Sequence, residues 1–372
     1  MTATRRDRAA PALADKVTFL RRPDSHRLAP AAVIARETHM SWVFLAGDDV
    51  YKLKKPVRFP YLDFSTLARR EAACRAEVRL NRRLAPDVYL GVVPLTEAAR
   101  GLALGGDGAP VDWLVHMHRL DERFMFERLI VEGRLQANDI DRLADVLADF
   151  YRAARPTMLP QAQQIAEIRR TLACNRSVLL DPRFSLPAGL VRRTDAALER
   201  FVTQCGGLIA ARFRHRRIVD GHGDLRPEHI WLGDNIRIID CLEFNDRLRV
   251  VDPFDEIAYL ALECERLGAA WAGARLRRRM TRLLRDGPAG ALFTFYHGYR
   301  AMLRARLAIA HLYEAKPRTP EKWVPLARAY LTLAATSPPR LEDWFRTPEG
   351  LSGCRSRAAG GSPRRAAVRR AR

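Results

Sequence analysis

The stretch from Arg217 to Asp240 restricts what this chain can fold into more than any other. Arg217-Ile218-Val219-Asp220 and Ile236 to Ile239 read as short buried strands. Between them runs His222-Gly223-Asp224-Leu225-Arg226-Pro227-Glu228-His229-Ile230, where Gly and Pro interrupt regular structure. A strand-loop-strand of this kind displays polar side chains at a sheet edge. Asp224 supplies a carboxylate, His229 a second polar group five residues later, and Asp240 a second carboxylate sixteen residues after Asp224. Phosphoryl transfer to a hydroxyl needs such a set. One carboxylate orients and deprotonates the acceptor, and other groups hold the metal that neutralises phosphate charge. Asp224 is the candidate base and Asp240 the candidate Mg²⁺ ligand, with Glu243 a possible second carboxylate near the metal. His229 is open between three roles: metal ligand, loop hydrogen bond, or phosphate contact when protonated. Its neutral imidazole offers nitrogen, which suits softer metals than Mg²⁺.

A chain of 372 residues with 48% hydrophobic content can bury a large core and ordinarily forms two domains or lobes. No apolar run approaches the roughly 18 residues of a membrane span, and Met1 to Ala14 lacks the apolar centre of a signal peptide. Six scattered cysteines without a Cys-x-x-Cys pair suggest reduced thiols and a cytoplasmic protein. The formal charge of +21 is spread over the chain, so no specific nucleic-acid partner is expected. Lysine usage is more pointed. Only six lysines occur, and three are Lys52, Lys54 and Lys55, as expected of a site that wants a compact ammonium on phosphates.

Residues 1–30 read as a loose start or a short helix. Trp42-Val43-Phe44-Leu45 and Val50-Tyr51-Lys52-Leu53-Lys54 read as a hairpin around Ala46-Gly47-Asp48-Asp49, with Val50, Lys52 and Lys54 on one face. Ser65-Thr66 opens a helix to about Leu84. Strands follow near Val88–Pro94 and Asp112–Met117, separated by a Gly-rich turn at Gly101–Gly108. After Leu120 the periodicity predicts helices near 123–133, 138–154, 161–179, 188–212, 253–267, 269–285, 288–315 and 320–335. Residues 347–372 read as a disordered basic tail.

Asp-Leu-Arg-Pro-Glu-His resembles the catalytic loop of protein kinases, with His in place of Asn. The preceding His-Gly-Asp resembles the aminoglycoside phosphotransferase group of kinase-like enzymes. Glu37 to Pro86 resembles a bacterial branch of that group that is often fused to a P-loop ATP-binding domain. No Gly-x-x-x-x-Gly-Lys-Ser/Thr occurs here, so a stand-alone version is expected. The resemblance implies an α+β, bilobal protein-kinase-like fold: an N-lobe at 31–112 with a small antiparallel sheet and one helix, a hinge at 113–121, and a helical C-lobe at 122–346. It implies ATP and Mg²⁺, and an activity transferring the γ-phosphate to a hydroxyl of a small molecule. The alternative is a nucleotide-binding pseudokinase.

By resemblance, Lys52 reaches the nucleotide phosphates, with Lys54 the alternative, and Glu77 holds it, with Glu71 the alternative. Asp240 takes the place of the Asp in Asp-Phe-Gly, although Cys241-Leu242-Glu243-Phe244 follows. Glu37-Thr38-His39-Met40-Ser41-Trp42 lies where kinases place the Gly-rich loop. It has no glycine, so phosphate contacts fall to backbone N–H groups and the Thr38 and Ser41 hydroxyls. Val115-His116-Met117 to Leu120 is the expected hinge, with backbone groups facing adenine. His222 and Asp255, the latter in Asp252-Pro253-Phe254-Asp255, are expected supports. The acceptor pocket is expected along helix 288–315, which carries Tyr296, His297, Tyr299 and Arg300. This basic wall argues against a polycationic acceptor.

Overall fold

The structure, a computed structural model, describes residues 11–157, 161–288, 290–314 and 317–336. The basic tail expected at 347–372 lies outside the described residues. The chain divides into two compact units. One comprises the residues up to Ala153 with Gly221–Val250, and the other comprises Ala154–Asp220 with the chain from Val251 onward. Residues 122–153 and the loop carrying Asp224 therefore group with the sheet, whereas the lobe boundaries read from sequence assign them to the helical part.

The first unit opens with α1 (Leu13–Leu20), followed by β1 (Val33–Glu37), β2 (Ser41–Ala46) and β3 (Asp49–Lys54). A small hairpin of β4 (Arg58–Phe59) and β5 (Leu62–Asp63) precedes α2 (Leu67–Asn81). Then come β6 (Tyr89–Ala98), β7 (Gly101–Leu104), β8 (Ala109–His118), α3 (Phe126–Val131) and α4 (Ala137–Ala153). The six longer strands form one antiparallel sheet in the order β1-β2-β3-β8-β6-β7. Gly101–Gly108 is thus no simple turn. Its first half adds β7 to the sheet edge, with Leu104 opposite Leu95.

Strand alternation gives the sheet two apolar faces. Leu45, Val50, Val115 and Met117 pack with Cys74 and Val78 of α2 on one side. Phe44, Tyr51, Leu53 and Leu114 pack with Val17 and Leu20 of α1 on the other. The β2–β3 turn passes through Gly47 at φ +66°, a left-handed conformation that glycine adopts without steric penalty. α2 starts where the Thr66 hydroxyl accepts the Arg69 N–H, a cap worth about 1 kcal/mol. It is fastened by Arg70 Nε, which lies 2.6 Å from Asp112 Oδ1 on β8, while Lys16 of α1 takes the other oxygen at 2.8 Å. These links set which face of α2 meets the sheet.

The second unit is helical: α5 (Gln161–Leu179), α6 (Ala188–Arg214), α7 (Pro253–Arg266), α8 (Ala270–Leu283), α9 (Gly290–Ala310) and α10 (Pro320–Thr336). α9 packs against α5, α6, α7 and α10. Apolar residues nearly all round its surface suit that central place. α7 and α8 approach closely at Gly273, where a Cβ would lie 2.6 Å from Cβ of Ala261. Asp252 caps α7 by accepting the Phe254 N–H at 3.0 Å.

Cys74, Cys174, Cys241 and Cys264 are free thiols. Among the described residues, no helix is long and apolar enough to cross a membrane.

Candidate active site

Four pieces of the first unit meet at the site: β3, α2, the loop 221–229 and the segment 239–244. β3 points Lys52 and Lys54 to the α2 face of the sheet. Lys52 Nζ lies 2.9 Å from Glu77 Oε1 and 2.6 Å from Asp240 Oδ1. Lys54 Nζ lies 2.6 Å from Glu77 Oε2 and also binds Glu243. Glu77 has no solvent exposure and Lys54 only 1%. Burial opposes charge on Glu77, but Lys52 and Lys54 prevail and hold its carboxyl below the usual range. The same balance holds Asp240 well below that range, with Lys52 the leading cation against burial. Burial disfavours charge on Lys52 too, and Asp240 followed by Glu77 keeps it protonated. Glu243 goes the other way, because burial outweighs Lys54 and raises its pKa.

The loop is braced by two histidines. His222, fully buried, donates from Nε2 to the Ile239 carbonyl at 2.9 Å and accepts the Asp224 N–H on Nδ1 at 3.3 Å. Burial, reinforced by nearby His229, pushes its pKa down to about 4, so this imidazole is neutral at pH 7. His229 donates from Nδ1 to the Asp224 carbonyl at 2.9 Å, which leaves the lone pair on Nε2. That nitrogen lies 3.5 Å from Asp240 Oδ2. Gly223 sits between them at φ +88°, and a Cβ there would come within 3.0 Å of Leu242 Cδ1. Asp240 itself is left-handed at φ +63°, a conformation Asp tolerates better than most residues. Its amide donates to the Tyr89 hydroxyl at 3.1 Å.

Asp240 Oδ2 and His229 Nε2 face each other, and the same nitrogen lies 3.2 Å from Arg226 Nη2. Lys52 already occupies the other carboxylate oxygen. Lys52, Lys54, Asp224, His229, Asp240 and Glu243 open on a cavity of about 940 Å³, with Val43, Leu45, Val50, Met117 and Ile239 along its apolar part.

The architecture has counterparts among solved structures. A choline/ethanolamine kinase family protein from Mesorhizobium loti matches with a TM-score of 0.50 over 91% of this chain and 99% of its own, at 15% identity. Choline kinase from Cryptosporidium parvum Iowa II gives 0.52 over 90% and 96%, at 11% identity. A thermostable mutant of aminoglycoside phosphotransferase APH(4)-Ia, in ternary complex with AMP-PNP and hygromycin B, gives 0.50 over 85% and 96%, at 10% identity. This chain has the kinase-like fold of these structures. At such identities the likeness is one of fold alone. In sequence, uncharacterized proteins of Mycobacterium bovis and Mycobacterium tuberculosis H37Rv are 34% identical over 298 residues, 79% of this chain. The chain spans 58% of the length of these curated relatives. No family model matches it.

Both lysine alternatives are engaged, since Lys52 and Lys54 share Glu77. Glu71 is elsewhere, in an exposed pair with Arg75 at 2.7 Å. Thr38 and Ser41 border the cavity and hydrogen-bond to each other. The Thr38 N–H and hydroxyl both donate to the Ser41 carbonyl, at 2.8 and 3.0 Å, and the Ser41 N–H donates to the Thr38 hydroxyl at 2.9 Å. These bonds close a tight turn that contains no glycine. At the expected hinge, Met117 lines the cavity, while the His118 and Arg119 N–H groups are taken by the Val88 and Asp48 carbonyls at 2.8 Å each. Those two amides are not turned toward a base.

In the second unit, Asp255 pairs with Arg300 at 2.7 Å, and the Tyr296 hydroxyl donates to Asp252 at 3.0 Å. Tyr299 stacks on Phe295. Three of the four side chains expected to form an acceptor wall are therefore internal ties of that unit. His297 alone of the four lines a cavity there.

Sequence reasoning missed Arg226, whose Nη2 lies 2.9 Å from Asp224 Oδ2 and 3.2 Å from His229 Nε2. It also missed Asn81, which accepts the Cys241 N–H at 2.9 Å and so ties α2 to the segment after Asp240. Their only local signals are a cation two residues after the candidate base and a polar residue on the buried face of a helix.

Proposed function

We propose that this protein is an ATP-dependent phosphotransferase that moves the γ-phosphate to a hydroxyl of a small molecule. The observation that carries this reading is the gathering of Asp224, Asp240 and Lys52, the last held from behind by buried Glu77, around one cavity within a single compact unit. Lys52, fixed by Glu77, presents a point charge to the phosphates of bound nucleotide. The apolar end of the cavity receives the base. Asp224 orients the acceptor hydroxyl and takes its proton as the oxygen attacks the γ-phosphorus in line and ADP leaves. A divalent cation, when bound, neutralises charge on the transferring phosphate, and Asp240 with His229 would hold it. His222 keeps the base in place by bonding both the Asp224 amide and the Ile239 carbonyl.

The test is ATP-dependent mass gain in a metabolite extract, read with the wild type and with Asp224→Asn. Products that form with the wild type and vanish with the variant support the reading. Products that persist remove Asp224 from the base role.

One observation favours a second reading, a nucleotide-binding pseudokinase. Arg226 lies against the Asp224 carboxylate, where it competes with an acceptor proton. In that case ATP raises the melting temperature, but neither hydrolysis nor transfer occurs with any hydroxyl compound.

A further inference from the structure

The second unit contains a separate cavity of about 960 Å³ among α7, α8 and α9. Ala270, Gly273, Ala274 and Arg277 recur at helical spacing on α8, so small residues make room at one end of this face and a guanidinium group closes the other. Arg278 and Arg282 flank the same face.

Buried and half-buried arginines elsewhere in this unit meet carboxylates. Arg212 binds Asp252 and Asp286, Arg300 binds Asp255, and Arg304 binds Glu263. The cavity arginines do not. Among the described residues no ion pair reaches Arg277, Arg278 or Arg282. Arg277 is half-buried, its guanidinium carbon 4.1 Å from the centre of the Phe293 ring, and burial lowers its pKa with no carboxylate to offset the loss of water. The acidic residue lining the cavity, Glu265, is already hydrogen-bonded to His297 Nε2 at 3.0 Å.

We propose that this cavity binds an organic phosphate monoester, with the phosphate on Arg277, Arg278 and Arg282 and a small apolar or aromatic body against Phe293. Three guanidinium charges beside one carboxylate leave a net charge of +2 in the lining. A phosphate monoester is close to a dianion at pH 7 and balances it, whereas a simple carboxylate leaves half of it unmatched. Arginine also matches phosphate oxygens with paired N–H donors. The Ala and Gly floor and the Phe293 ring offer the rest of the ligand an apolar surface, with the Thr281 and Thr294 side chains also in the lining.

Phenyl phosphate is the probe, titrated calorimetrically into the full chain at low ionic strength, with orthophosphate and phenol as separate arms. Arg278→Gln/Arg282→Gln changes only exposed side chains and preserves the fold. It should weaken phenyl phosphate binding by about tenfold or more, the loss of one or two charge-assisted hydrogen bonds. Arg277→Gln should weaken it further, with circular dichroism confirming its fold. Lys52→Met, which alters the other cavity, should bind phenyl phosphate like the wild type. Orthophosphate should bind more weakly than phenyl phosphate, and phenol should not bind. The proposal is overturned by absence of saturable binding, by unchanged binding in the Arg278/Arg282 variant, or by loss of binding in Lys52→Met.

Discussion

Lys54 Nζ sits 2.6 Å from Glu77 Oε2, the carboxylate oxygen opposite the one that Lys52 holds. One buried glutamate thus serves two lysines of a single strand, and their environments differ. Lys52 retains 16% exposure and reaches Asp240, whereas Lys54 is sealed between Glu77 and Glu243. Lys52→Met should therefore act on nucleotide affinity, and Lys54→Met on stability. Removing one partner from a buried ionic cluster leaves uncompensated charge and costs roughly 3–5 kcal/mol. Denaturant unfolding should show that loss for Lys54→Met, partly recovered in Lys54→Met/Glu243→Gln. A Lys54→Met variant as stable as the wild type would show that the cluster is not coupled as its geometry implies.

Asp224→Asn keeps the size of the side chain but cannot take a proton. Transfer should fall by about 10²–10⁴-fold, the usual range for a lost general base. Nucleotide affinity by calorimetry should change little, because Lys52, Glu77 and Asp240 stay in place.

His229 offers Nε2 toward Asp240, where an asparagine would offer a hard carbonyl oxygen. The ratio of Mn²⁺- to Mg²⁺-supported activity should therefore be higher for the wild type than for His229→Asn. An identical ratio in the two proteins would mean that this nitrogen does not touch the metal.

His222 carries a pH dependence of stability. Its folded pKa of about 4 lies below the unfolded value near 6.5, so the unfolded chain binds more protons between them. The contribution is fully present above about pH 6.5 and is lost as pH falls toward 4, on the order of 3 kcal/mol in total. Unfolding free energies measured from pH 7 to 4.5 should fall less steeply for His222→Gln than for the wild type. Parallel slopes would mean that His222 is not buried neutral.

The loop around Asp224 was legible because its logic is local. Gly223, Pro227 and the short apolar runs on either side dictate a strand-loop-strand, and the carboxylate spacing follows from the chain itself. Strand alternation likewise placed Lys52 and Lys54 on one face before any fold was known. Helix spans such as 161–179 were readable from periodicity, since burying one face of a helix needs little knowledge of its partner.

Other features depend on contacts between distant residues, which no local pattern encodes. Glu77 rather than Glu71 meets the lysines because Arg70 and Cys74 turn that face of α2 onto β8. Lys54 finds Glu243 across 189 positions. Thr38 and Ser41, read as phosphate contacts, also close on one another, because a tight turn without glycine satisfies its own backbone first. Tyr296 and Arg300, read as a substrate wall, are consumed by Asp252 and Asp255, which α7 carries against α9. Sequence by itself determined which chemical groups this chain owns and which face of its own strand or helix each occupies. Tertiary packing decided which of them meet, because burying a charged or polar group is tolerable only beside a partner, and only the fold supplies partners from afar.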